Sequence, residues 1–216
     1  MLTQAIEDYL KVIYKLEQSG EAVTTTAIAD RMGVALASVS NMVKKLTRLK
    51  LVEHTPYRQI RLTAGGQKVA LEVIRHHRLI ELYLSRMLGM SLDRVDEEAE
   101  RLEHVLSEDL EDKIAESLGD PTRDPHGDPI PARDGTIDDL PHPVLADLAV
   151  GMRGVIVRVS DRDPAILREL AASGMLPGTA FEILSSTKSG SLRVRAGDSE
   201  RMISSDHAKS VFVTMD

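Results

Sequence analysis

TTAIADRMGVALASVSNMVKKLTRLK, residues 25–50, reads as two short helices around a tight turn, and that reading decides the fold of the N-terminal third. A Thr run at its start supplies an N-cap, because a hydroxyl oxygen can accept from the unpaired amides of a first helical turn. Ile28, Ala29 and Met32 carry the first helix and Gly33-Val34 makes the turn. A second helix runs from about Ala37 to Leu49, with Val39, Val43 and Leu46 at inward spacing. Upstream, Ile6, Leu10, Ile13 and Leu16 give residues 3–18 an apolar helical stripe that Gly20 ends. Downstream, Leu51–Thr55 and Gln59–Thr63 read as strands around the tip Pro56-Tyr57-Arg58. Three helices and a hairpin in about 60 residues outline a winged helix-turn-helix.

Such a module needs polar side chains for base edges and cations for phosphates. The outward face of the third helix offers Ser38, Ser40 and Asn41, followed by Lys44, Lys45 and Arg48, and the wing adds Tyr57, Arg58 and Arg61. The alternative for any charged helix face is that it is merely solvated. The turn and the wing favour DNA.

Beyond this module, Ala64 to about Leu88 and roughly Leu92–Leu118 read as two long helices with apolar faces, suited to dimer formation or to packing on their own chain. Residues 119–143 hold six prolines and form an irregular connector. Gly151–Ser160, Thr179–Ser186, Leu192–Ala196 and Val211–Met215 read as strands, with a helix over Ile166–Ser173, which suggests a small β-barrel. The expected class is mainly α with β, in three parts: 1–63 DNA-reading, 64–143 helical with the connector, and 144–216 β-rich.

The chain of 216 residues has a net charge of −7, but the charge is uneven. It is +3 over 1–63, −6 over 64–119 and −4 over 120–216, as for a DNA reader joined to a part that attracts cations. Cysteine is absent, which excludes disulfides, thiolate ligands and cysteine nucleophiles. No apolar run approaches the roughly 20 residues of a membrane span, and no secretory signal is evident, so a cytoplasmic protein with no membrane partner is expected.

Two spacings carry metal chemistry. Glu100, Glu103 and His104 fall at i, i+3 and i+4, which on a helix sets two carboxylates and an imidazole on one face. The bland alternative is a solvated acidic face with Glu–Arg pairs. Asp8 is a candidate fourth ligand if the first helix docks nearby. His77 and Glu81, at i and i+4, form either a second half-site or an ordinary surface hydrogen bond.

In order along the chain, these residues resemble the diphtheria-toxin-repressor family of iron- and manganese-dependent regulators, in its three-domain manganese form. The likeness runs through Glu7-Asp8-Tyr9-Leu10, Ile13-Tyr14-Lys15-Leu16, Ile28-Ala29, Val39-Ser40, Leu51-Val52, Leu62-Thr63 with Gly66, and His77-Arg78-Leu79-Ile80-Glu81. It continues through residues 98–107 (EAERLEHVLS) and the connector 124–131 (DPHGDPIP). The tail, with Gly154-Val155, Leu170, Gly174-Met175, Pro177-Gly178, Asp206 and Ala208, is similar to the SH3-like domain of ferrous-iron transport accessory proteins.

The resemblance implies a homodimeric repressor of metal-homeostasis genes that binds double-stranded operator DNA and acts on no small organic substrate. It implies a primary metal site of Asp8, Glu100, Glu103 and His104. Iron-sensing relatives place Met and Cys where this chain has Asp8 and Glu100, and hard oxygens in place of sulfur favour Mn2+, with Fe2+ the alternative. Manganese members with a binuclear site use a Glu where this chain has Lys11, so an adjacent second ion is not expected. Iron sensors use a His where this chain has Asp96. A separate second site is implied at Glu81, Asp124, His126 and Asp161, with His77 a further candidate and Asp163 competing with Asp161. Two rivals remain: a metallohydrolase, against which stand the DNA module and the lack of an evident nucleophile or general base, and a DNA-binding scaffold indifferent to metal.

Overall fold

The computed structural model describes residues 2–54, 59–138 and 140–215. These form two compact units: Met1–His76 with Glu103–Leu106 and Pro131–Thr136, and His77–Leu102 with Ser107–Ile130 and Ile137–Asp216.

In the first unit, α1 (Gln4–Gln18) buries Ile6, Leu10, Ile13 and Leu16, the stripe read from spacing, together with Tyr9 and Tyr14. α2 (Thr25–Met32) starts where the Thr24 hydroxyl accepts from the Ala27 amide at 3.0 Å. It stops at Gly33, whose φ of 65° suits a residue without Cβ. α3 (Leu36–Arg48) buries Val39, Val43 and Leu46. β1 (Val52–Glu53) pairs antiparallel with β2 (Arg61–Leu62), Val52 opposite Leu62. The hairpin is shorter than expected, and its tip, with Tyr57 and Arg58, lies outside the described residues. α4 (Ala64–Leu88) opens with Gly66, where a Cβ would stand 1.9 Å from the Leu51 carbonyl oxygen; only glycine lets the helix start that close to the hairpin.

The second unit corrects one expectation. In place of a single helix over Leu92–Leu118 there are two, α5 (Leu92–Leu102) and α6 (Glu108–Ser117). The Ser107 hydroxyl accepts from the Leu110 amide at 3.3 Å, and Glu108, Asp109 and Glu111 fill the first turn of α6, where carboxylates complement the helix dipole. Leu102, Leu106 and Leu110 keep helical spacing across the break, so apolar periodicity alone could not reveal it. Glu103 and His104 therefore sit in a turn, not on a helix face.

The connector is not a surface loop throughout, for Asp124, His126 and Ile130 are buried. The Asp124 carboxylate accepts from the amides of His126 and Asp128 at 2.8 and 2.9 Å, and the Val159 amide donates to the His126 carbonyl at 2.9 Å. Five antiparallel strands follow in the order β6-β5-β4-β3-β7: β3 Arg153–Val159, β4 Ala180–Ser186, β5 Leu192–Ala196, β6 Ser199–Ile203 and β7 Val211–Met215. They enclose a core of Ile156, Val159, Phe181, Ile183, Val194, Val211 and Val213 with Leu167 and Leu170 of α7 (Pro164–Ala172). β6 and the short α8 (Ser205–Lys209) were not expected. Of β6 only Ile203 is buried, so this edge strand lacks an apolar alternation to read. Among the described residues, no helix is long and apolar enough to cross a membrane.

Candidate metal centres and nucleic-acid interface

In the first unit, Asp8 of α1 meets Glu103 and His104 of the turn after α5. His104 Nε2 lies 2.8 Å from Asp8 Oδ1 and 3.3 Å from Glu103 Oε1. Its Nδ1 lies 2.6 Å from Glu7 Oε2. Donation of the Nδ1 proton to Glu7 leaves the Nε2 lone pair facing carboxylate oxygens. Nε2 is indeed buried with no hydrogen bond of its own. Such a lone pair beside carboxylates is repulsive unless a proton or a metal cation lies between them, and the nitrogen and oxygen donors gathered here fit a divalent ion. Both Glu103 oxygens accept from Lys11 Nζ, at 2.9 and 2.8 Å, and its backbone carbonyl faces His76 Nδ1 at 3.1 Å. Glu100 belongs to the second unit, where its Oε1 stands 3.9 Å from His77 Nδ1.

The second unit holds a more deeply buried cluster. Glu81 Oε1 lies 3.5 Å from His77 Nε2 and 3.6 Å from His126 Nδ1. Both Glu81 Oε1 and His126 Nδ1 are buried without a hydrogen-bond partner. Asp124 completes one triad with Glu81 and His126, and Asp96, whose Oδ1 is 3.3 Å from His77 Nε2, completes another with His77 and Glu81. Burial, then the charges of Asp128 and Glu81, push the Asp124 carboxyl well above the usual carboxylate range. Burial alone would lower His126, but the charges of Glu81, Asp124 and Asp161 outweigh it and raise the imidazole. Asp161 thus acts on His126, whereas the Asp163 carboxylate caps α7 by accepting from the amides of Ala165 and Ile166. In the sequence Asp96 is marked only as a departure from the histidine of iron sensors; its spacing of four from Glu100 on α5 is the available signal. Glu7 was missed too, since a carboxylate next to a candidate ligand carries no mark of its own.

On α3, Ser38, Asn41, Lys44, Lys45 and Arg48 are exposed and Ser40 is half-buried. A recess of about 740 Å³ is lined by Ser40, Lys44 and Arg48 together with Thr25, Val43, Thr47 and His54. The last four are not among the DNA contacts read from the sequence. Hydroxyls, cations and a methyl-bearing floor are groups that read base edges and phosphates.

The chain matches the family models for the iron dependent repressor N-terminal DNA binding domain over residues 1–60, the iron dependent repressor metal binding and dimerisation domain over 63–132, and the FeoA domain over 144–215. It is 32% identical over 196 residues to the diphtheria toxin repressor of Corynebacterium efficiens, covering 85% of this chain and 84% of that one. It is 37% identical over 110 residues to the iron-dependent repressor IdeR of Mycobacterium tuberculosis, covering 51% and 48%. Among solved structures, a manganese-dependent transcriptional repressor in complex with manganese superposes with a TM-score of 0.90 at 35% identity, covering 97% of this chain and 99% of that one. The manganese regulator SloR gives a TM-score of 0.76 at 29% identity, covering 98% of each chain.

Proposed function

Because the chain belongs to the diphtheria-toxin-repressor family of metal-dependent transcriptional repressors, we propose that Mn2+ is its activating ion and that Asp8, Glu103 and His104 are its primary ligands. The observation that carries this reading is the His104 Nε2, buried and unpartnered, 2.8 Å from the Asp8 carboxylate. Glu100 is proposed as a fourth ligand on the strength of the resemblance alone. Bound there, the ion supplies positive charge to a set of hard oxygen donors and one imidazole, a set without sulfur that suits Mn2+. Asp8 ties α1 to the turn carrying Glu103 and His104, and Glu7 holds the His104 ring with Nε2 forward. The ion shifts the chain toward the DNA-competent form only by as much as it binds that form more tightly.

Two copies of the chain would then present two α3 helices to operator half-sites in successive major grooves. Met87, Leu88, Leu102 and Leu110, all exposed in the second unit, are apolar surface for that homodimer. Ser38, Ser40, Asn41, Lys44, Lys45 and Arg48, with Tyr57 and Arg58 of the wing tip, are the proposed DNA contacts. Glu81, Asp124, His126 and Asp161, with His77 and Asp96, are proposed to hold further metal. The setting is the cytoplasm and the targets are metal-homeostasis genes.

Fe2+ is the second reading, favoured by the names of the curated relatives. Operator affinity measured against Mn2+, Fe2+, Co2+ and Zn2+ at fixed salt decides between them. The manganese reading expects half-maximal DNA binding at a lower free concentration relative to cellular supply for Mn2+ than for Fe2+. Equal or better activation by Fe2+ overturns it, and binding that ignores a chelator overturns metal dependence altogether.

A further inference from the structure

The first-unit cluster already contains a cation. Lys11 stands three residues after Asp8 on α1, is only 4% exposed, and donates to both oxygens of Glu103, itself 1% exposed. A buried ammonium is costly unless paired, and here its pairing is with a proposed metal ligand. Glu7, Asp8 and Glu103 bring three negative charges to the cluster and Lys11 one positive, leaving −2 with a neutral His104. One divalent ion brings that sum to zero, and to −1 where Glu100 joins as the proposed fourth ligand.

We propose that Lys11 is a resident cation of the metal centre, which shares the Glu103 carboxylate with the incoming ion and so sets the concentration at which the repressor responds. Two effects follow from its position. Without metal, the ammonium keeps Glu103 aimed and satisfied, so the pocket is preformed. With metal, the same positive charge draws density from Glu103 and repels the ion, so affinity is lower than the oxygen donors alone would give. The inference rests on the proposed ligand role of Asp8, Glu103 and His104.

The test uses the full chain with Glu81→Gln, so that the second cluster is disabled and Mn2+ titrates the first. Lys11→Met is expected to tighten the Mn2+ Kd by about tenfold or more. It is also expected to lower the Tm of the metal-free protein, and the rise in Tm on adding Mn2+ should exceed that of the parent. Lys11→Arg keeps the charge and should stay within about threefold of the parent Kd. Lys11→Gln, which retains a donor without the charge, replaces Lys11→Met if that chain does not fold, and should also bind more tightly. A neutral variant that folds but binds Mn2+ with unchanged or weaker affinity overturns the proposal, because the pair would then be purely structural. Asp8→Asn separates the two levels. If it abolishes the titration while the neutral Lys11 variants leave Kd alone, only the role of Lys11 fails; if Asp8→Asn titrates like the parent, the ligand reading fails and takes this one with it.

Discussion

Asp8 and Asp124 are both aspartates set beside a histidine, yet their surroundings differ. The Asp8 side chain is 31% exposed, whereas that of Asp124 is 3% exposed. Around Asp8 a lysine supplies internal charge, and the neighbouring carboxylates reach hydrogen-bond partners. Around Asp124 the nearest cation, Arg78, has its Nε 3.7 Å away, and two polar atoms are buried without partners. An ion held by the first cluster, as proposed, would reach solvent past the partly exposed Asp8. The second buries its carboxylates more deeply, with Asp124 held by two backbone amides and Arg78, so an ion bound there would be shielded more from water and would leave more slowly. On the proposed ligand roles, the more exposed cluster suits sensing and the buried one consolidation.

The sharpest way to break this contrast is Asp8→Ala. The Mn2+-dependent gain in operator affinity, expected on the order of a hundredfold, should vanish in a gel-shift or anisotropy titration, while thermal unfolding of the metal-free protein barely changes. If the gain survives, the sensing role belongs elsewhere.

Gly127→Ala tests the other cluster. Its φ is 92° and a Cβ would stand 2.0 Å from the Val157 carbonyl oxygen, so the loop holding Asp124 and His126 must shift. A loss of about 2–4 kcal/mol in chemical denaturation is expected, with Mn2+ binding weakened at the second cluster and retained at the first. Equal loss at both sites would mean that the clusters are not separable in this way.

The smallest effect is on pH. The Asp124 carboxyl and the His126 imidazole both bind protons more tightly in the folded chain than their ordinary values of 3.8 and 6.5. Between each ordinary value and its raised folded one, the folded chain holds more protons than the unfolded one. Metal-free stability should therefore fall as pH rises from about the ordinary carboxylate value through the raised ones, and saturating Mn2+ should flatten that slope by displacing the protons. Urea midpoints at a series of pH values, with and without Mn2+, measure both slopes. A metal-free midpoint that rises across that window would contradict the protonation described for Asp124 and His126.

Apolar spacing was enough to place α1, α2, α3 and α4, because their buried apolar residues recur at helical steps; Gly20, Gly33 and the Thr24 and Thr63 hydroxyls mark ends of α1, α2 and α4, whereas α3 has neither mark. It was not enough for the break between α5 and α6, where Leu102, Leu106 and Leu110 keep step through a turn. Nor did it find β6, an edge strand with almost nothing buried. Of the proposed primary ligands, Asp8, Glu103 and His104 are brought together, but by a turn and not by the helical face from which Glu103 and His104 were first read. Glu100 instead faces His77 in the second unit.

Residue types and their order along the chain were sufficient for the family and the winged module, and they supplied the oxygen-rich donors on which the metal proposal rests, since local spacing and donor hardness are properties of the chain itself. Packing alone decided that Lys11 would pair with Glu103, ninety-two positions away, and that Glu81 would stand between two histidines. Those outcomes depend on which side chains lose water together, and burial of that kind is settled only when distant segments meet.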